Sequence, residues 1–476
     1  MREAPALLAE ATVTIGGKEV PADAAFDVIN PATAQVLAVA PAVSRDQLDM
    51  AVSSAHAAFA TWRGDEAARL AAMLAAADVL DANAEALGAL LTAEQGKPLG
   101  DAGMEVMAAS WWLRHFAALD LPVEVVQDDE HGYAEVYRRP LGVVAAITPW
   151  NFPLALAMWK IAPALRAGNT LVVKPSPYTP LTTLALGALL RGVLPDGVLN
   201  VVSGPDPLGA ELTVHPLVRK ISFTGSIATG KKVAAAAAGD LKRVTLELGG
   251  NDPAIVLPGT DAGQIALGLF GGAFMNNGQT CLAAKRVYVH ESLHDDLVDA
   301  LAGLACAARV GEGTEEGVQF GPVNNRPQFD RVAGLVADAV SRGARVAAGG
   351  RELDRTGYFY EPTILAGISD GVPIVDEEQF GPALPVISYR SVADAVERAN
   401  RGHFGLTASV WAADPGEAAR VAAGIDAGQV SVNAHGSGVR PDLPFGGHKW
   451  SGIGVENGTW GLHGCTETQV ITGPRR

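Results

Sequence analysis

The sequence predicts an α/β protein: two doubly wound α/β domains carrying a small β arm. Three observations predict it. Between residues 143 and 248 short apolar strands alternate with helices, a second alternating stretch begins near residue 250, and residues 121–139 switch to a period of two, polar against apolar. At 476 residues the chain exceeds what one compact core holds. Its 48% hydrophobic residues and mean hydropathy of +0.18 place it among soluble globular proteins rather than disordered or fibrous ones.

In chain order, residues 46–62 (DQLDMAVSSAHAAFATW), 65–97 (DEAARL through AEQGK) and 103–119 (GMEVMAASWWLRHFAAL) carry a helical pattern, with Gly and Pro at the joins. Residues 121–139 alternate around Asp-Asp-Glu-His-Gly and read as a solvent-touching hairpin. The strands VVAAIT (143–148), TLVVKP (170–175), VLNVVSG (198–204), RKISFTG (219–225) and RVTLEL (243–248) then alternate with helical segments at 154–168, 181–192 and 228–238 and one short helix. Such spacing requires right-handed crossovers and a parallel sheet covered on both faces, whose ligands bind at the carboxyl ends of the strands. The second domain follows with PAIVL (253–257), a helix to about residue 276, a turn holding Cys281, KRVYVH (285–290), another long helix, and the strands ARVAAGG, ALPVISY and QVSVN. TETQVIT, 466–472, is expected to pair with the 121–139 hairpin or with a neighbouring chain.

Composition excludes several classes of function. A net charge of −16 repels a phosphate backbone, and no basic cluster is interleaved with aromatics, so nucleic acid is not a partner. Charged residues are only 18%, which hints that subunit contacts cover part of the surface. Three widely spaced cysteines, Cys281, Cys306 and Cys465, do not form a disulfide framework and suit a reducing cytoplasm; no CxxC or Cys/His cluster suggests a metal. The N-terminus lacks the apolar core of a signal peptide. Residues 141–159 are uncharged and long enough to cross a membrane, but Pro149, Asn151 and Pro153 interrupt them, so a buried strand–loop–helix is expected instead.

Four segments could carry chemistry. Cysteines are commonly buried and inert, and Cys306 in LAGLACAARV fits that description. Cys281 lies instead in GQTC, between a helix and a strand, where loops carry reactive groups; to attack it must ionise. Glu247, at a strand end before two glycines, is either a surface ion-pair partner or a desolvated base with a raised pKa. Asn151 in PWNFP is either part of a rigid turn or an amide donor to an oxyanion. FTGSIATG, 223–230, runs from a strand into a helix N-terminus that attracts phosphate, although the usual GxGxxG fingerprint is absent.

PWNFP, VVKPSP, FTGS, LELGG, GQTC, EEQFGP and PFGGHKWSGIGVENG stand in one order over nearly the whole chain, and in this the sequence resembles the aldehyde dehydrogenase superfamily. The resemblance implies the oxidation of a small-molecule aldehyde to the carboxylic acid with NAD or NADP. Cys281 would attack the carbonyl, giving a thiohemiacetal and then a thioester. The Asn151 amide and the Cys281 N–H would hold the oxyanion, and Glu247 would deprotonate the hydrolytic water. By the same likeness Lys174 would bond the adenosine ribose, Gly225 and Ser226 would approach the pyrophosphate, and Glu378 would hold the nicotinamide ribose beside Phe380. Trp150 and Leu248 would add backbone contacts, with Thr148, Pro149, Ser176, Gly204, Phe223 and Gly230 completing the cofactor site. Phe152, Trp159, Thr280, Leu282 and Phe445 would line the substrate entrance, with Arg440 either a partner for a carboxylate or a surface residue.

The implied domains are a discontinuous dinucleotide-binding domain (1–120 and 141–247), a catalytic domain (248–445), and an oligomerisation arm and tail (121–140 and 446–476) that builds a homodimer or homotetramer. Two positions depart from the family pattern. Pro177 replaces a glutamate common in NAD-preferring members, so activity with NADP is expected; Asn251 replaces a common lysine. Two other readings stay open: a CoA-acylating relative, against which Glu247 argues, and a cofactor-binding structural protein without turnover.

Overall fold

In the computed structural model residues 5–475 are described; residues 1–4 and 476, at the extremes of the 1–120 and 446–476 segments, lie outside the described residues. The first sheet has eight strands in the spatial order Gly452–Ile453, Arg243–Glu247, Val218–Thr224, Val143–Ile147, Thr170–Lys174, Leu199–Val201, Thr14–Ile15 and Lys18–Glu19. The five strands from Arg243–Glu247 to Leu199–Val201 run parallel. The chain lays down Val143–Ile147 first, grows the sheet one way through Leu199–Val201, then returns to the other side with Val218–Thr224. This is the mononucleotide-binding order, and its reversal opens a crevice beyond the carboxyl ends of Val143–Ile147 and Val218–Thr224.

The uncharged 141–159 segment is the Val143–Ile147 strand, a loop, and the start of helix Pro153–Ala167, as the prolines imply; every residue of that helix but Ala155 is buried. Among the described residues no helix is long and apolar enough to cross a membrane. The expected 65–97 helix is two, Glu66–Ala82 and Ala84–Gln95, parted at Asn83, whose side chain donates back to the Val79 carbonyl. The second ends at Gly96, φ 102°, a left-handed C-cap that glycine adopts without strain.

The second sheet has seven strands in the order Arg345–Ala348, Thr363–Ala366, Ala383–Tyr389, Ala284–His290, Asp252–Val256, Thr407–Trp411 and Gln429–Val432, parallel except at the first pair. Its own helices, among them Ala262–Phe274, which stops two residues before the expected boundary, cover both faces. Glu124–Asp129 and Gly132–Pro140 form the predicted hairpin. Thr466–Gly473 pairs antiparallel with Gly132–Pro140 from Thr466↔Pro140 to Gly473↔Tyr133, so the tail completes this chain's own arm. Within 446–476 the chain divides: Gly452–Ile453 pairs with Arg243–Glu247 on the first sheet, and only the last strand joins the arm. The Ala24–Asn30/Gln35–Ala42 hairpin and the Thr407–Trp411 strand add to the elements expected.

Candidate active site

The crevice at the first sheet's carboxyl edge faces the second sheet's amino edge. Between them lies a cavity of about 790 Å³ bordered by Trp150, Ser226, Cys281, Glu378 and Phe380, among others. The carboxyl-end rule therefore describes only half the site: Cys281 and Glu378 precede the strands Ala284–His290 and Ala383–Tyr389.

The turn before Cys281 explains its sequence. Asn276 (φ 51°, ψ 40°), Asn277 (58°, 34°) and Gly278 (φ 71°) are three consecutive left-handed residues, a conformation open to glycine and, at some cost, to asparagine. Side-chain hydrogen bonds over-determine it. Asn277 Nδ2 donates to the Gly321 carbonyl (2.9 Å), Gln279 Nε2 to that of Asn276 (3.0 Å), and Lys285 Nζ to those of Gly278 (2.7 Å) and Gly381 (2.9 Å). Cys281 is half-buried at the cavity wall. Burial, then the carboxylates of Glu247, Asp252 and Glu378, push its thiol well above the ordinary value. Cys306 corrects the sequence reading: it is exposed, because on helix His294–Ala307 the buried stripe runs through Leu297, Val298, Leu301 and Ala305.

Asn151 is buried beside this turn. Its Nδ2 donates one hydrogen to the Gln279 carbonyl (3.0 Å), leaving the second N–H of the amide. Glu247 is buried, and among the described residues neither carboxylate oxygen has a hydrogen-bond partner. Burial, and next the nearby Glu456, raise it well above the carboxylate range, while Lys160 acts the other way. Lys160 and Glu456 form an ion pair (2.7 Å) joined by Thr224 and Ser222 hydroxyls. Neither was singled out in the sequence; a lysine in an otherwise apolar run, 153–165, was the available signal.

Of the residues assigned to the cofactor, Pro149, Trp150, Gly225, Ser226, Leu248, Glu378 and Phe380 line the cavity. Ser226 caps helix Ile227–Ala238, accepting from the Thr229 N–H (3.3 Å). Glu378 accepts from the Gly250 N–H (2.9 Å) and is pushed up to about 7 by burial. Phe380, φ 51°, meets Trp150 edge to face, ring centres 5.3 Å apart. Phe223 and Gly230 stand behind the wall rather than on it. Phe223 packs against Gly225, and at Gly230 a Cβ would fall 2.4 Å from Leu248 Cδ2. Thr148, Lys174, Ser176 and Gly204 also lie outside the lining, around the neighbouring strand ends. Lys174, buried and drawn down to about 8, donates to the Pro175 carbonyl (3.2 Å).

Trp159 stacks on Trp112 (5.4 Å, 11°) and meets Phe445 edge to face (5.2 Å). Trp112, which sequence reasoning did not assign, is held by its indole N–H donating to Asn457 Oδ1 (2.8 Å). Phe152, Val439 and Cys281 are half-buried against this apolar cluster, which includes Leu282. Thr280 turns its hydroxyl to the Met275 carbonyl (3.1 Å). His435 donates to the Leu282 carbonyl (2.7 Å), and burial draws it down to about 4, so it stays neutral. Arg440 is exposed and pairs with Asp442.

Residues 19–471 match the model of the Aldehyde dehydrogenase family. The chain is 40% identical to phenylacetaldehyde dehydrogenase of Pseudomonas fluorescens over 96% of this chain and 94% of that one. It is 38% identical to the NADP(+) succinate-semialdehyde dehydrogenase of Escherichia coli over 94% of each. The NAD+ complex of aldehyde dehydrogenase from Bacillus cereus superposes with a TM-score of 0.95 at 35% identity, covering 98% of this chain and 96% of that one.

Proposed function

Since the chain belongs to the aldehyde dehydrogenase family and oxidises an aldehyde with NAD or NADP, we propose that Cys281 is its nucleophile, Asn151 its oxyanion donor and Glu247 its hydrolytic base. The observation that carries this reading is the meeting of Cys281, Ser226 and Glu378 on one cavity, with the Asn151 amide bonded into the Cys281 turn.

The cavity suits a dinucleotide. Gly225 and the N-terminus of helix Ile227–Ala238 would receive the pyrophosphate and Glu378 the nicotinamide ribose, while Lys174 and Ser176, outside the cavity lining, would take the adenosine ribose. When bound, the oxidised nicotinamide supplies the hydride acceptor. Glu247 accepts the Cys281 thiol proton and passes it to solvent, Sγ adds to the aldehyde carbon, and the free Asn151 N–H with the Cys281 N–H stabilises the resulting thiohemiacetal oxyanion. Loss of hydride from that carbon leaves a thioester on Sγ. Glu247, unpaired and with a raised pKa, takes a proton from the water that attacks the thioester; the carboxylic acid leaves and the thiolate returns.

The aromatic cluster of Trp112, Trp159 and Phe445, with Arg440 occupied by Asp442, supports an uncharged apolar or aromatic aldehyde, as named for the Pseudomonas relative, over a carboxylate-bearing one. The first sheet with its helices is the dinucleotide-binding domain and the second sheet the catalytic one. The arm leaves Val123, Val125, Val126 and Val470 exposed, which supports a homodimer or homotetramer joined there. The three unpaired thiols fit a cytoplasmic setting.

Cys281→Ala is expected to abolish formation of reduced cofactor while cofactor still binds; an active variant would overturn the assignment. Initial rates should favour phenylacetaldehyde over succinate semialdehyde, and the opposite order would reject the substrate reading. Acid released without CoA distinguishes hydrolysis from acyl transfer.

A further inference from the structure

A second buried ion pair, Lys97 with Glu105, reaches the loop that carries Asn151. Lys97 follows the Gly96 cap, and Glu105 lies on helix Leu99–Ala117. Their side chains are 0% and 1% exposed, with Nζ and Oε2 2.5 Å apart. Lys97 Nζ also donates to the Asn151 carbonyl (2.9 Å) and sits over the Phe152 ring, 3.7 Å from its centre. Glu105 Oε1 accepts from the Leu154 N–H (2.9 Å) and the Ala155 N–H (3.1 Å), in the first turn of helix Pro153–Ala167. One ion pair thus engages residues 151, 152, 154 and 155.

Stability alone is a poor reason for such a pair, because desolvating two charges offsets most of their attraction and an apolar pair of similar volume does as well or better. Placement is a better one. The Asn151 carbonyl receives Asn276 Nδ2 (3.0 Å) as well as Lys97 Nζ, so the loop is clamped between helix Leu99–Ala117 and the left-handed turn before Cys281. The side-chain amide of Asn151 is anchored to that same turn through Gln279. Fixing the main chain of Asn151 from both sides fixes how far its remaining N–H stands from the carbon that Sγ attacks. Transition-state stabilisation by a hydrogen-bond donor depends on that preorganisation.

We propose that Lys97 and Glu105 are positioning residues for the oxyanion amide, holding the main chain of residues 151–155 so that Asn151 Nδ2 faces the developing charge. This rests on the reading of Asn151 as oxyanion donor. It predicts that the pair's effect on kcat is exerted through Asn151.

The test is a double-mutant cycle on the full-length enzyme with NAD and phenylacetaldehyde. Lys97→Met alone strands a buried carboxylate, so the paired change Lys97→Met/Glu105→Gln is used beside it; the glutamine oxygen still accepts from the helix N–H groups. Asn151→Ala should lower kcat by ~10²–10³-fold, as loss of one oxyanion donor does. The neutral pair should lower kcat by ~10²-fold, as a misplacement of ~1 Å does, with cofactor Kd unchanged. Added to Asn151→Ala, it should cost nothing further. Multiplicative losses, an unchanged kcat in the folded neutral pair, or a neutral pair that cannot fold would each overturn the proposal. Full kcat in Asn151→Ala would instead reject the oxyanion reading itself.

Discussion

Gly250→Ala probes how closely the backbone before the second sheet approaches Cys281, the proposed nucleophile. A Cβ at this position would lie 2.3 Å from the Cys281 carbonyl oxygen and 2.6 Å from Asp252 Oδ1, where ordinary contact starts at 3.4 Å. Neither neighbour yields readily: the first is backbone, and Asp252 is fixed by the Thr407 hydroxyl (2.6 Å) and N–H (3.1 Å). The backbone of Cys281 must therefore retreat by about 1 Å, and a misplacement of that size costs ~10²-fold in rate. Initial rates of reduced-cofactor formation, a thermal melt and quenching of tryptophan fluorescence by NAD give the three readings needed. The expected result is a folded protein with normal cofactor affinity and kcat/KM lower by ~10²-fold. Gly271→Ala is the control, since nothing lies within 4 Å of its added methyl in helix Ala262–Phe274; it should keep full activity and gain about 0.5–1 kcal/mol. A folded Gly250→Ala enzyme with wild-type kcat/KM would refute the reasoning.

Glu94 is buried, pushed up from 4.5 to about 7 by burial, and caps helix Leu181–Leu189 by accepting from the N–H groups of Leu181 (2.7 Å) and Thr182 (2.8 Å). Because its folded pKa is raised, its contribution is full below pH 4.5 and declines by about 3 kcal/mol as pH climbs through 7; thermal melts should show a shallower pH dependence in Glu94→Gln across that window. Lys174, drawn down to about 8 by burial, loses its charge as pH rises through that value, so the KM for cofactor should increase above pH 8 without a matching fall in kcat, and Lys174→Met should flatten that profile. With Pro177 three residues after Lys174, NADP should support turnover, and Pro177→Glu should reduce it through repulsion of the 2′-phosphate; initial rates with both cofactors decide, and complete inactivity of the wild type with NADP would reject the argument.

Local signals carried much of the architecture. The strand–helix alternation over 143–248 determines a parallel sheet because crossovers have one hand, and PWNFP and FTGS mark the strand ends flanking its switch point. What stayed hidden depends on distance in the chain. Glu456 belongs to a visible motif, but its partner Lys160 is 296 residues away, and nothing local joins them. Lys97 and Asn151 are separated by 54 residues, and Trp112 and Asn457 by 345. The placement of Cys281 at an amino edge was equally illegible, since it follows from how two sheets face each other rather than from either one's pattern. Asn83 broke an apparently continuous helix because an asparagine side chain competes for a backbone carbonyl, an effect that apolar periodicity does not register.

The left-handed run at Asn276–Gly278 bears on how this enzyme ages. Asn277–Gly278 is the kind of dipeptide most prone to spontaneous deamidation, which begins when the glycine nitrogen closes a five-membered imide on the asparagine side chain. That cyclisation needs an extended backbone, whereas Asn277 is held at φ 58°, ψ 34° with its amide nitrogen donating to Gly321. The folded turn thus shields its own weakest chemical link, and deamidation at Asn277 should track excursions to the unfolded chain.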